Sequence, residues 1–181
     1  MSGWEAAALP PAYRWLAVAG TLPRMLREGL ALYGVREQAG AGDNPMILDW
    51  AREAGVTGYR ADAVPWCGLY LAVVAMRAGW AVPAAPLWAL NWGRFGVAAD
   101  RPMLGDVLTF VRPGGGHVAL YVGDDDAAYH VLGGNQGDQV GFARIARGRL
   151  RAARRPAYRW RPATVAVRRL AAAGGMSVDE A

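Results

Sequence analysis

Apolar residues recur at three- and four-residue spacing from Pro11 to Ala19 and again from Leu22 to Leu32, which predicts two helices ending at Gly34. After the polar stretch VREQAGAGDNP, Asn44 followed by Pro45 reads as a helix start, with asparagine as N-cap and proline in the first turn. Met46, Ile47 and Trp50 supply that helix's apolar face, and Gly55 closes it. A third helix is expected to open at Pro65, because WCGLYLAVVAMRAG meets no strong breaker before Gly79. It is apolar nearly all round, the pattern of a helix buried against a sheet. VPAAPLWALNWGRFG reads as a connection with one helical turn from Leu87 to Trp92.

The period then becomes two. Asp106 to Arg112, His117 to Gly123, Ala127 to Gly134 and Gln139 to Ile145 are short runs rich in Val, Phe and Tyr, separated by PGGG, DDD and NQGD. Leu150 to Arg155 makes a fifth strand. Helices followed by a meander of strands predict an α+β fold, with the Cys-bearing helix packed on an antiparallel sheet of about five strands. This domain is expected over residues 1–160, and 161–181 reads as an amphipathic helix or frayed tail.

The composition supports one core, with 54% hydrophobic and 19% charged residues in 181 positions, and excludes a disordered chain. No apolar run approaches the roughly 20 residues that span a bilayer, so no membrane insertion is expected. MSGWEAAALPPAYRWL lacks the basic stretch and unbroken apolar run of an export signal. The net charge is +5 and every basic residue is arginine. Ten arginines and no acid lie between Arg144 and Arg169, so the rest of the chain is net negative. This region reads either as a solvated arginine face or as a surface for an anionic polymer. Motifs that read nucleic-acid bases are absent, and PGGGH precedes a strand and lacks the lysine of a phosphate loop, so nucleic acid is not the partner expected. We expect a monomer.

Cys67 is the single cysteine, which excludes an internal disulfide and a multi-thiolate zinc site. With only His117 and His130 beside it, no metal or other cofactor is expected. A thiol in the first turn of a helix is either small apolar packing or a nucleophile whose thiolate the helix end stabilises. The helix end and a neighbouring imidazolium would both lower its pKa. His117 begins a strand after three glycines and shares a face with Ala119 and Tyr121, where the small alanine leaves room for a helix end. His130 lies mid-strand and reads as a satisfied core or surface histidine. A three-residue loop at Asp125 to Ala127 would set Asn135 across from His117, although a glycine bulge would present Gln136 instead. Asn135 is preferred. Asp62, five residues before the cysteine, ties down the helix start or contacts substrate. Trp66, Tyr70, Trp88 and Trp92 either line a groove near the cysteine or belong to the core.

The runs ADAVPWCGLYLAVV, PMLGDVLTFVR, GGGHVALYVG and VLGGNQGDQV, preceded by EQAGAGDNPMILDW, resemble the CHAP and NlpC-type cysteine peptidases. Within them they are similar to the small lysin-like group of phages and prophages, and the resemblance spans roughly Trp15 to Pro156. It implies a papain-like fold, with Cys67 as nucleophile, His117 as base and Asn135 as the polar third member. Asp62 and Trp66 are motif positions, and substrate-binding or supporting roles fall to Asp62, Trp66, Tyr70 and Gln136. The implied activity is hydrolysis of a peptidoglycan amide, an endopeptidase in preference to an N-acetylmuramoyl-L-alanine amidase. The implied enzyme would be made in the cytoplasm without a signal peptide. It would reach the periplasm or cell wall through a holin, a phage or gene-transfer particle, or secretion components. The alternative is a non-catalytic protein that binds cell wall or nucleic acid through its arginine-rich end.

Overall fold

A computed structural model describes residues 9–172 and 174–177. Residues 1–8, where the reading of the export signal begins, lie outside the described residues, as do 173 and 178–181 of the expected helix or tail.

The expected helical segments form, with shifted limits. Pro11–Val18 is a 3₁₀ helix that buries Tyr13 and Leu16, and α1 (Arg24–Leu30) buries Met25, Leu26 and Leu30. Asn44 caps α2 (Pro45–Glu53) as its sequence requires, its side chain accepting the Met46 N–H at 2.9 Å. The third helix, α3 (Cys67–Arg77), does not open at Pro65: Trp66 has φ −120°, outside helical range, so Cys67 is the first helical residue. No side chain caps its start. Every residue from Cys67 to Ala75 is buried, as the all-round apolar pattern predicts. A 3₁₀ helix at Ala89–Arg94 replaces the turn expected at Leu87 to Trp92.

Six antiparallel strands follow: β1 (Val97–Ala98), β2 (Val107–Arg112), β3 (Gly115–Asp124), β4 (Ala128–Gly133), β5 (Gly141–Ala146) and β6 (Leu150–Arg155). Their order in the sheet is β1-β6-β2-β3-β4-β5. The strand beyond the expected five is β1, two residues paired with Arg154 and Arg155, too short to show an alternating pattern. The β3–β4 turn also differs, since Asp124 pairs with Tyr129; a bulge between Tyr121 and Gly123 then restores the expected register at Tyr121↔Val131 and Leu120↔Leu132.

Alternation divides the sheet into two buried faces. Val107, Val118, Leu120, Val122 and Leu132 pack with α3, while Leu108, Phe110, Ala119, Tyr121, Tyr129, Val131 and Ile145 form a second cluster. Ala119 therefore does not make room for the helix as expected, because α3 lies on the other face.

Residues 161–170 form neither a helix nor a loose tail. They turn at 163–164, bury Val165, and pair with the end of β3 through 168–170, with Arg169 bridged to Asp124 and the Leu170 N–H donating to the Asp124 carbonyl at 2.9 Å. The arginine-rich end is likewise not simply a solvated face. Arg144 pairs with Asp125, Arg147 and Arg169 with Asp124, and Arg155 with the fully buried Asp106. Arg154 donates to the carbonyls of Phe95 and Gly96. The excess positive charge at the end of the chain thus answers acids placed earlier in it.

His130 is a core histidine with both ring nitrogens engaged, at 2.9 Å to the Tyr13 hydroxyl and 2.8 Å to Asp125. Burial alone would raise the Asp125 carboxyl. The Ala127 N–H, His130, Arg144 and the Ala128 N–H outweigh it and hold the group well below the usual carboxylate range. Among the described residues no helix is long and apolar enough to cross a membrane.

Arg155 grips Asp106 through two nitrogens, at 2.9 and 2.7 Å, and Asp106 also accepts the Met103 N–H. Removing one partner of a buried pair leaves the other charge uncompensated. Asp106→Ala is expected to lower unfolding stability by about 3 kcal/mol, read as a fall in the urea midpoint. The Asp125 group adds a pH dependence. Its folded pKa is depressed, so its stabilisation is full above the unfolded value of about 3.9 and is lost as pH falls toward the folded value. An Asp125→Asn variant should therefore lose most of the wild type's excess stability at pH 7 and show a smaller difference from it at pH 3, in urea titrations at both.

Candidate active site

The site is built where β4 leaves the sheet. Pairing of β4 with β3 ends at Leu120↔Leu132, and β4 stops at Gly133. The Tyr121 N–H donates toward β2, to the Asp106 carbonyl, so by strand alternation the Val118 N–H points toward the missing continuation of β4. The first turn of α3 fills this gap. The backbone N–H groups of Val118 and, at the uncapped helix start, of Gly68 and Cys67 itself lie near enough to the Cys67 sulfur to favour its thiolate. The thiol thus lies against the peptide bond joining His117 to Val118.

Two glycines allow this approach. A Cβ on Gly134 would stand 2.5 Å from the Tyr70 Cβ and 2.8 Å from the Trp66 ring, and a Cβ on Gly133 would stand 2.8 Å from Gln136 Oε1 and 2.9 Å from the Ala119 Cβ. The chain then turns through Asn135, whose φ is +55°. That left-handed residue ends the strand geometry that would have set Asn135 opposite His117, and Gln136 takes the place instead. Gln136 Oε1 lies 3.0 Å from His117 Nε2, while its amide nitrogen donates to the Gly141 carbonyl at 2.5 Å. The Gly141 contact fixes which way the amide faces. His117 must then donate from Nε2–H, and its basic lone pair sits on Nδ1. Gln136, and not the preferred Asn135, is the residue that the structure brings to His117. Asn135 itself is buried, and its Oδ1 has no hydrogen-bond partner among the described residues.

The remaining expected residues support or flank this arrangement. Asp62 does not cap α3: one carboxylate oxygen accepts the N–H groups of Gln38 (2.8 Å) and Asn44 (2.7 Å), and its own N–H donates to Asp43. It clamps the 38–44 loop to the chain entering the helix. Trp66 is fully buried, donates from Nε1 to Glu37 at 2.6 Å, and packs near Trp50 with ring centres 5.9 Å apart. Tyr70 and Trp92 are fully buried too. Three of the four aromatic residues are therefore core, and only Trp88, 74% exposed, lines a groove.

That groove, about 370 Å³, opens over Cys67 between Val64, Pro65, Leu87 and Trp88 on one side and Arg112 with Gly114, Gly115 and Gly116 on the other. Neither Leu87 nor Arg112 was singled out in the sequence; a basic residue just before a glycine turn that leads into the His strand is the signal that was available. Burial pushes the Cys67 thiol up from its ordinary pKa; the Val118 and Gly68 N–H groups, the Arg112 charge and its own N–H act against this without cancelling it. The lowering expected from the helix start is thus reversed by burial.

No family model matches the chain, and no curated protein matches it.

Because the pKa is raised, iodoacetamide should label Cys67 slowly at pH 7 and faster as pH rises, with the inflection above the ordinary thiol value of about 8.5. An inflection near pH 6 would contradict this reading of the thiol. Gly133→Ala should push Gln136 away from His117, so nitrogen NMR of the ring should change from a dominant Nε2–H tautomer to a mixture.

Proposed function

We propose that the chain is a papain-like cysteine hydrolase of the CHAP and NlpC type that cleaves an amide bond of peptidoglycan, as an endopeptidase in preference to an N-acetylmuramoyl-L-alanine amidase. One observation carries the reading: the helix-start thiol lies against the His117–Val118 peptide while Gln136 holds His117 Nε2. The substrate comes from the resemblance, and the acyl-transfer chemistry from the residues.

In this mechanism His117 Nδ1 takes the Cys67 proton as the sulfur adds to the amide carbonyl carbon. The resulting oxyanion is held at the start of α3, whose first N–H groups no side chain caps. Collapse breaks the carbon–nitrogen bond, and His117 returns the proton to the departing amine. Water then attacks the thioester, giving its proton to His117, and the acid product leaves as the thiol reforms. Burial keeps the resting thiol protonated, so proton removal accompanies attack and depends on the base. Gln136 acts as a positioning residue, fixing the tautomer that makes Nδ1 basic.

The arginine-rich end has a supporting part. Trp160 is 84% exposed between exposed Arg159 and Arg161, a pair of charges suited to attraction toward an anionic wall polymer. Access to the wall would come through a holin, a particle or a secretion machine.

Digestion of purified peptidoglycan, with mass spectrometry of the fragments, tests the proposal and identifies the bond. Cys67→Ala should release nothing, and His117→Ala should lower kcat by about 10² or more. Gln136→Ala should lower kcat less than His117→Ala does, because it disturbs orientation without removing the base. Asn135→Gly, which keeps the left-handed backbone, should retain nearly full activity. Release by a folded Cys67→Ala protein would overturn the mechanism.

A further inference from the structure

The groove over Cys67 is apolar except at one point. Val64, Pro65, Leu87 and Ala89 line it, with Trp88 standing exposed at its rim, and Arg112 closes the opposite side beside Gly114 to Gly116. Arg112 is the last residue of β2, paired with Gly115, and the charge of its guanidinium is felt at the Cys67 sulfur. Most arginines of the preceding sections are committed to carboxylates or to backbone carbonyls at short distance. Arg112 has no carboxylate partner among the described residues, and its one hydrogen bond is a long one, 3.4 Å from Nε to the Gly116 carbonyl. Its two terminal nitrogens are therefore available to a ligand in the groove.

The groove walls are fixed in advance. Trp92 donates to the Pro86 carbonyl at 3.0 Å, and Asn91 donates to those of Ala84 and Ala85. The Pro86 carbonyl lies so close to Gly68 that a Cβ there would be 2.1 Å away. On the facing wall, a Cβ on Gly116 would be 2.6 Å from Leu90. A held cation next to an apolar slot and a thiol is complementary to an acylated amino acid: an apolar body, an amide, and an anion a few atoms away.

We propose that Arg112 makes this groove selective for an amide substrate that bears a free carboxylate close to the bond attacked by Cys67, with the guanidinium binding that carboxylate. Arg112 is a specificity-determining residue in this account, and the proposal rests on the reading of Cys67 as nucleophile.

The test separates the two. Cys67 in the full-length protein is alkylated at one pH with iodoacetate, which carries a carboxylate, and with iodoacetamide, which does not. The ratio of the two rates cancels the thiol's own pKa. Relative to a blocked cysteine amide, the wild type should favour iodoacetate by about tenfold, the change that about 1.4 kcal/mol of differential binding gives. Arg112→Gln should return the ratio to that of the blocked amide, and Arg112→Lys should keep part of the excess. Wild type alone gives a further measurement: N-acetylalanine should slow iodoacetamide labelling, and N-acetylalanine amide should not. A wild-type ratio equal to the blocked amide's, an unchanged ratio in Arg112→Gln, or equal protection by both competitors overturns the proposal. With muropeptides as substrates, the wild type should prefer free-acid stems to amidated ones in kcat/KM, and Arg112→Gln should lose that preference while still hydrolysing the amidated stem. If the wild type hydrolyses neither, the hydrolase reading fails, and the alkylation ratio still decides whether Arg112 binds a carboxylate.

Discussion

The backbone N–H of Val118 is the group around which the site is arranged. In an uninterrupted sheet it would donate to β4. Because β4 ends at Gly133, it lies beside the Cys67 sulfur instead, and a helix start occupies the place of a strand. The start of α3 can reach this N–H only because the strand ends there, so the end of β4 and the arrival of α3 are coupled. The same contact brings the thiol to the residue following His117.

This coupling accounts for the packing of the segment VLGGNQ. Gly134 has no side chain because Trp66 and Tyr70 of the α3 start lie where it would go, and Gly133 has none because Gln136 folds back over it. Asn135 turns the chain at positive φ, which asparagine tolerates better than most residues. Trp66 is in turn held by Glu37, and Asp62 clamps the neighbouring loop, so residues far apart in sequence share one task of fixing where the helix begins. Burial of Cys67 raises its pKa above the ordinary thiol value.

The arginines show how charge can mislead when read along a chain. A run of ten without an acid resembles a surface for polyanions, yet Arg144, Arg147, Arg155 and Arg169 reach back to Asp125, Asp124 and Asp106. These partners are remote in sequence and adjacent in the sheet. Arg112, unremarkable in the sequence, keeps its charge beside the groove because no carboxylate faces it among the described residues.

What the sequence determined by itself is what depends on local periodicity and backbone chemistry. The α+β order, the Asn44–Pro45 helix start, the burial of α3, the core of the β3–β4 register and the placing of Cys67 in a first helical turn all follow from spacing and capping within a few residues. The tertiary structure decided the rest, because those outcomes turn on contacts between distant segments. Asn135 and Gln136 differ by one position, and a single left-handed residue selects between them. Burial of Trp66, Tyr70 and Trp92, against exposure of Trp88, depends on which neighbours cover them. The docking of residues 168–170 on the end of β3 carries too little periodicity to be seen in advance; its hydrogen bonds are made to a strand some forty residues away.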